Sequence, residues 1–322
     1  MKILLTGSHG FIGTHVTRIL SEHGHEVFTV DCFERRVHGA NPDRSSVDFA
    51  YPCAWITPME LDGISPEAVI HLAAQVGVAD SMTDPNRYVR GNVADTAMFL
   101  ERLAKMKRPP RKIIVASSMS VYGDPHMSEP IGEEWPTTPA SVYGLTKYDQ
   151  ERLVLMLAPL MGATPVALRF FNVYGPGQAL SNPYTGVLAN FANNIFDGRA
   201  PIVYEDGLQT RDFIYVEDVA CAVVGAVEQD MEGVYNVCTG HAETILGVAE
   251  TMCQALDPAI SPHLPGETRA GDVRHCIGRN LRLRLALPRW EPLAFATGMA
   301  LYAQHLLASA RAPEDRKGLP AT

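Results

Sequence analysis

The sequence predicts an α/β fold, a doubly wound parallel sheet of Rossmann type followed by a smaller C-terminal substrate domain. Three observations carry that reading. Short apolar runs in the first half are continuous instead of alternating, they are separated by helical stretches, and a glycine-rich turn follows the first of them directly. Continuous apolar strands belong to a sheet covered on both faces, and strand–helix alternation makes that sheet parallel.

Taken in order, Lys2 to Thr6 reads as the first strand, Phe11 to His23 as a helix and Glu26 to Asp31 as the second strand. Ala68 to Ala73 and Lys112 to Ser117 are further buried strands, with a helix from Arg87 to Met106 between them. A helix from about Ser141 to Leu160 precedes a strand from Val166 to Asn172. Beyond Gly175 proline and glycine become frequent, and helices at Gly186 to Phe196, Thr244 to Leu256 and Leu293 to Leu307 mix with short strands. The division expected is 1–174 for the first domain, 175–310 for the second and 311–322 for a polar, disordered tail. Asp212 to Tyr215 and Val234 to Val237, within a segment of about 211–240, are candidates to rejoin the large sheet.

Bulk properties narrow the function. The 322 residues are 46% hydrophobic and 20% charged, ordinary for a globular protein. A net charge of -9 disfavours nucleic acid or an anionic membrane as partner. The six cysteines show no CxxC pair and no cysteine–histidine cluster, so free thiols in a reducing cytoplasm are expected, with no metal site. No run approaches the ~18 apolar residues a membrane span needs. The first apolar run is too short for a secretory signal.

Thr6-Gly7-Ser8-His9-Gly10-Phe11-Ile12-Gly13 is the turn between the first strand and helix. Gly7 permits a tight turn, Gly10 lets a diphosphate approach the backbone, and Gly13 lets the helix pack on the strand. The spacing is one residue wider than the usual dinucleotide loop. Asp31 ends the second strand 18 residues after Gly13, where a carboxylate can accept from ribose hydroxyls and would repel a 2′-phosphate. NAD is therefore favoured over NADP. Arg35 and Arg36 either face solvent or could receive such a phosphate. Asp48 is a candidate for the adenine amino group or a plain surface aspartate.

Tyr143 and Lys147 stand at i and i+4 on one helix face. A free tyrosine has a pKa near ~10, and a nearby ammonium would lower it, so Tyr143 could take a hydroxyl proton. Ser118 emerges at the carboxyl edge of its strand, where its hydroxyl could bond both the substrate oxygen and Tyr143, or simply cap the strand end.

TGSHGFIG, Asp31, HLAAQ at 71–75, SSMSVYG at 117–123, YGLTK at 143–147, LRFFNVYGPGQ at 168–178, RDFIYVEDVA at 211–220, YNVCTG at 235–240 and GDVRH at 271–275 follow one another along nearly the whole chain. Together they resemble the extended short-chain dehydrogenases, specifically the NAD-dependent epimerase/dehydratase family acting on nucleotide sugars. The resemblance implies Ser118, Tyr143 and Lys147 as the catalytic trio. It implies Gly7, Gly10, Phe11, Ile12, Gly13, Asp31, Ala73 and Lys147 around NAD. Asn172, Arg211 and Arg274 would face the nucleotide sugar, the arginines near its diphosphate, for which guanidinium forks are suited. Salt bridges of those arginines to Asp212 or Asp272, and capping by Asn172, are the structural alternatives.

Dehydratases of the family carry an Asp-Glu pair where Met119 and Ser120 stand, and a thioether moves no proton, so simple 4-epimerisation through a transient ketone is expected. The segment QALSNPYTG at 178–186 is uncharged, which suggests a neutral sugar. The likeness extends to the subgroup of dTDP-L-rhamnose 4-epimerases, with departures around residues 124–138 and at Gly278-Arg279. UDP-, GDP- or ADP-linked sugars, including a heptose, stay open. So do a 4-ketosugar reductase or dehydratase and, in another class, a non-catalytic NAD(P) sensor. A homodimer through the helices at Arg87 to Met106 and Ser141 to Leu160 is implied by the family.

Overall fold

In a computed structural model the chain is described over residues 1–38, 42–124, 129–180, 186–267 and 273–310. The tail expected at 311–322, residues 181–185 of the uncharged segment, Asp272 and the side chain of Arg36 lie outside the described residues. The strands are β1 (Lys2–Thr6), β2 (Glu26–Val30), β3 (Ala68–His71), β4 (Lys112–Ser118), β5 (Thr164–Phe170), β6 (Asn172–Tyr174), β7 (Thr210–Arg211), β8 (Phe213–Tyr215), β9 (Gly233–Val237), β10 (Glu243–Thr244) and β11 (His275–Cys276). The helices are α1 (Phe11–Glu22), α2 (Arg35–His38), α3 (Pro58–Ile64), α4 (Val78–Thr83), α5 (Pro85–Tyr88), α6 (Asp95–Ala104), α7 (Val142–Leu157), α8 (Val187–Phe196), α9 (Val216–Glu228), α10 (Ile245–Leu256), α11 (Leu281–Ala286) and α12 (Phe295–Ala310).

Six parallel strands form the main sheet in the order β2-β1-β3-β4-β5-β9. Each strand sends alternate side chains to opposite faces, and both faces are apolar. Ile3, Leu5, Ile70, Ile114 and Leu168 pack with Val16 and Leu20 of α1 and Val219 and Val223 of α9. Leu4, Val69, Ile113, Val115 and Ala167 pack on the other face with Leu61 of α3, Phe99 and Leu103 of α6 and Val154 of α7. This is why the strands read as unbroken apolar runs. The chain order reverses across β1, whose two neighbours are β2 and β3, and ligands enter such sheets at the carboxyl ends beside that switch.

A third core gathers Leu188 and Phe191 of α8, Val248 and Met252 of α10, and Met299 and Tyr302 of α12 around Tyr174 and Phe213. Small sheets, β10-β7-β11 and β6-β8, connect it to the main body. Gly233–Val237 does join the large sheet, as its sixth strand. Phe213–Tyr215 does not: it pairs with Asn172–Tyr174, because β5 ends at Phe170 and the chain bends away before the next pairing. The helix expected from Arg87 to Met106 is interrupted by a π turn at Val89–Ala94. Such turns recur at functional sites, and this one holds the buried Asn92. The helix expected to Leu160 ends its α-helical part at Leu157 and tightens into a 3₁₀ turn opening at Pro159, which has no N–H to continue the ladder. Among the described residues no helix is long and apolar enough to cross a membrane.

Candidate active site

At the carboxyl ends of the strands lies a cleft of about 1280 Å³, running from the glycine loop past Ser118 and Tyr143 to Asn172 and Gln178. Its floor at one end is the turn between β1 and α1. Gly7 has φ +71, and a Cβ there would lie 2.8 Å from the amide nitrogen of Ala73. A Cβ on Gly13 would lie 2.0 Å from the carbonyl of Gly7, so only glycine fits either place. Gly10 is the N-cap of α1; no side chain caps it and the first turn carries no acid. The helix thus presents unsatisfied N–H groups and the positive end of its dipole to the cleft, a cradle that fits a diphosphate.

Asp31 is buried and shares this end of the cleft. It accepts from the backbone N–H of His9 at 3.0 Å and of Phe33 at 2.8 Å, and His38 stands 3.4 Å away. Burial pushes its carboxyl up, but the hydrogen bonds from His38, Phe33 and His9 outweigh that and hold it below the usual carboxylate range. An anion is therefore fixed at this end of the cleft. Arg35 is exposed at the rim of the same cleft.

Asp48, the candidate for an adenine contact, is engaged with β2. Its carboxylate accepts from the Thr29 backbone N–H at 2.7 Å and hydroxyl at 2.8 Å, and it is not among the cleft-lining residues. It fastens the chain after β2 onto that strand.

Ser118, at the end of β4, accepts from the Ser120 N–H at 3.2 Å, so it does cap the following turn. Its hydroxyl donates to Ser120 Oγ at 3.2 Å and stands close enough to Tyr143 to favour the ionised phenol. Both residues line the cleft with Lys147. Tyr143 and Lys147 are presented by α7, whose N-cap Ser141 accepts from the Gly144 N–H at 3.0 Å. The expected lowering of the tyrosine pKa by the lysine does not appear here. Burial pushes the Tyr143 phenol up, and the Ser118 hydrogen bond offsets this only in part. The Lys147 amine donates to Gln150 Oε1 instead, and burial pulls its pKa down to about 7 against the opposing pull of Glu151.

Asn172 lines the cleft and donates to the Asp212 carbonyl at 3.1 Å. Arg211 and Arg274 do not line it. Arg211 is buried and donates to the Thr210 carbonyl at 2.9 Å. The Asp212 carboxylate, its suggested partner, accepts instead from Thr239, Gly240 and Gly278. Arg274 forks onto Asp206 at 2.7 and 2.8 Å and reaches Glu205 at 3.2 Å. Two carboxylates hold that guanidinium.

Several contacts at the site had no place in the sequence reading. Gln150 lies one turn beyond Lys147, a spacing that could have flagged it. Asn92 Oδ1 accepts from the Gln75 N–H at 2.6 Å and its Nδ2 donates to Thr146 Oγ1 at 3.0 Å, fixing a cleft-lining loop against α7. Met119 Sδ, on the cleft wall, meets Cys276 Sγ at 3.0 Å. Among the described residues no cluster of His, Cys, Asp and Glu could hold a metal ion.

Comparison with known proteins accords with this geometry. Residues 3–238 match the model of the NAD dependent epimerase/dehydratase family. The chain is 32% identical to a dTDP-L-rhamnose 4-epimerase of Burkholderia thailandensis, over 90% of either chain. It is 34% identical to a UDP-glucose 4-epimerase of Mycolicibacterium smegmatis, over 93% of this chain and 96% of the relative. Among solved structures, the UDP-glucose 4-epimerase of Thermotoga maritima with UDP-glucose superposes with a TM-score of 0.86 at 30% identity, covering 96% of this chain and 99% of that one. The Thermus thermophilus UDP-glucose 4-epimerase complex with NAD gives 0.83 at 29% identity, covering 96% and 100%. With this match over most of its length, and Ser118, Tyr143 and Lys147 lining one cleft with the glycine turn, the chain belongs to the NAD-dependent epimerase/dehydratase family.

Proposed function

We propose that this NAD-dependent sugar-nucleotide epimerase inverts C4 of a neutral sugar, with dTDP-L-rhamnose the leading substrate. The observation that carries the reading is that Ser118, Tyr143 and Lys147 line the wall of one cleft, with Met119 and not a carboxylate next to Ser118. Tyr143 takes the C4 hydroxyl proton and later returns it, while Ser118 holds the sugar oxygen and the phenol in line. NAD, when bound, supplies the acceptor and donor of hydride at that carbon. Gly7, Gly10, Phe11, Ile12, Gly13, Asp31, Ala73 and Lys147 would hold it. Neither Met119 nor Ser120 carries the carboxylates that elimination of water would use, so the transient ketone is reduced again on its opposite face. Asn172 lines the cleft on the sugar side, and the Burkholderia relative supports the deoxysugar assignment.

A homodimer through α6 and α7 is part of the proposal, supported by the exposed Met98, Leu145 and Met156 on those helices. Six free thiols support a reducing, cytoplasmic setting. The test is an NMR assay of the purified protein with dTDP-L-rhamnose and no added cofactor, repeated with UDP-, GDP- and ADP-sugars. Appearance of the C4 epimer supports the reading. No turnover of any sugar, even with NAD added, overturns it in favour of a ketosugar reductase or a cofactor sensor.

A further inference from the structure

Lys147 is buried within the protein side of the cleft, and what its amine meets there is a glutamine. Gln150 has no exposure, and its amide can face only one way. Its Nε2 lies 3.2 Å from the Ala73 carbonyl, 3.0 Å from Thr96 Oγ1 and 2.9 Å from His71 Nε2. A carbonyl cannot donate, so the NH₂ end must lie on that side and Oε1 must face Lys147. His71 in turn accepts at Nε2, which puts its proton on Nδ1, 2.7 Å from Thr6 Oγ1. Thr6 is the residue before the glycine turn, and it also receives the Ala73 N–H at 3.3 Å. An uncharged hydrogen-bonded line thus runs from the cofactor cradle to the amine.

We propose that Gln150 is a positioning residue: its carbonyl aims the Lys147 amine, and its amide nitrogen ties that aim through His71 to Thr6 beneath the glycine turn. The charged and titratable groups acting on Lys147 are Glu151 on α7 and His71 on β3, with Arg169 of β5 behind Glu151. Glu151 already receives Arg169 Nε at 2.9 Å and Nη2 at 2.6 Å and the Ser117 hydroxyl at 2.6 Å. Its charge is therefore largely matched. Burial keeps His71 neutral by lowering its pKa to about 3. A neutral acceptor at position 150 orients the amine without locking it as an ammonium, which a carboxylate there would do.

The proposal rests on the reading of Lys147 as catalytic, so Lys147→Met is measured beside the Gln150 variants on cofactor-loaded enzyme. In Gln150→Met the amine loses its acceptor. We expect kcat to fall about tenfold or more, KM for the nucleotide sugar to hold, and the basic limb of the kcat profile to move to lower pH. In Gln150→Glu the limb moves up by roughly one pH unit. Should Gln150→Met fail to fold, the direction of the limb in Gln150→Glu decides alone. Wild-type kcat and pH limbs in the Gln150 variants, with Lys147→Met inactive, overturn the positioning role and leave the catalytic reading standing. An active Lys147→Met overturns both.

Discussion

Arg169 of β5 closes on Glu151 of α7 through Nε at 2.9 Å and Nη2 at 2.6 Å, beside Ser117, the residue before Ser118 on β4. The side chains are 5% and 1% exposed, and Ser117, Tyr122 and the Glu133 carbonyl complete their hydrogen bonds. A buried pair with matched partners contributes little over an apolar pair, but removing one member strands the other's charge. Arg169→Met is therefore expected to lower unfolding stability by about 3–5 kcal/mol. The double variant Arg169→Met/Glu151→Met should recover most of that loss in the same urea titration. Equal losses in the single and double variants would contradict this account.

The three glycines of the turn should separate folding from cofactor binding. Gly13→Ala drives a Cβ to 2.0 Å from the Gly7 carbonyl, which neither backbone can yield, so a sharp loss of thermal stability is expected. Gly7→Ala adds the penalty of φ +71, about 1 kcal/mol or more. At Gly10 the nearest atom to an added Cβ is 3.3 Å away, so the fold should tolerate alanine within about 1 kcal/mol. The methyl would still stand where a diphosphate approaches, and NAD affinity, read by fluorescence titration, should drop by about tenfold or more. A Gly10→Ala protein that binds NAD as well as the parent would remove the diphosphate from that turn.

What could be read in the chain divides along physical lines. The strands of the sheet were legible because burial on two faces writes unbroken apolar runs, and Tyr143 and Lys147 because one helical turn separates them. The helix Val216–Glu228 was not, since eight of its residues are buried and only Glu217, Asp218 and Glu228 put charge on the face left open. The π turn at Val89–Ala94 changes hydrogen bonding without changing composition. Partners distant in sequence stayed hidden: Asp206 meets Arg274 from 68 residues away, and Thr29 claims Asp48 across 19. Residue type identified these groups as able to bind a nucleotide. Only the folded contacts show them engaged with the protein itself.

His71 gives the fold an acid sensitivity whose sign is fixed by its surroundings. Burial lowers its pKa from 6.5 to about 3, with the Lys147 charge adding to the effect. Between those values the unfolded chain binds a proton that the folded chain refuses. Its contribution is therefore complete above pH 6.5 and is lost as pH falls toward 3, at about 1.4 kcal/mol per pH unit. Replacing it with a side chain that cannot protonate, His71→Asn, should flatten the stability–pH curve by about that slope between pH 6 and 4 in urea titrations. An unchanged slope would mean that the folded protein takes up the proton.

Asp31 should decide between dinucleotides. Its carboxylate is held anionic by His38 and by the Phe33 and His9 amides, which overcome the effect of burial. Asp31→Asn keeps the size of the side chain but removes the charge that would repel a 2′-phosphate and accept two ribose hydroxyls. Loss of a charged acceptor typically costs about 1.5–3 kcal/mol, roughly 10- to 150-fold in affinity. NAD binding should weaken by that factor while NADP binding holds or improves, narrowing the ratio between them in parallel titrations. Arg35, exposed at the same rim, is the cation available to meet the extra phosphate once the carboxylate is gone. A double variant Asp31→Asn/Arg35→Ala should therefore lose the NADP gain and keep the NAD defect. If the single variant weakens both dinucleotides equally, Asp31 acts by holding the His9 and Phe33 amides in place and not by repelling phosphate.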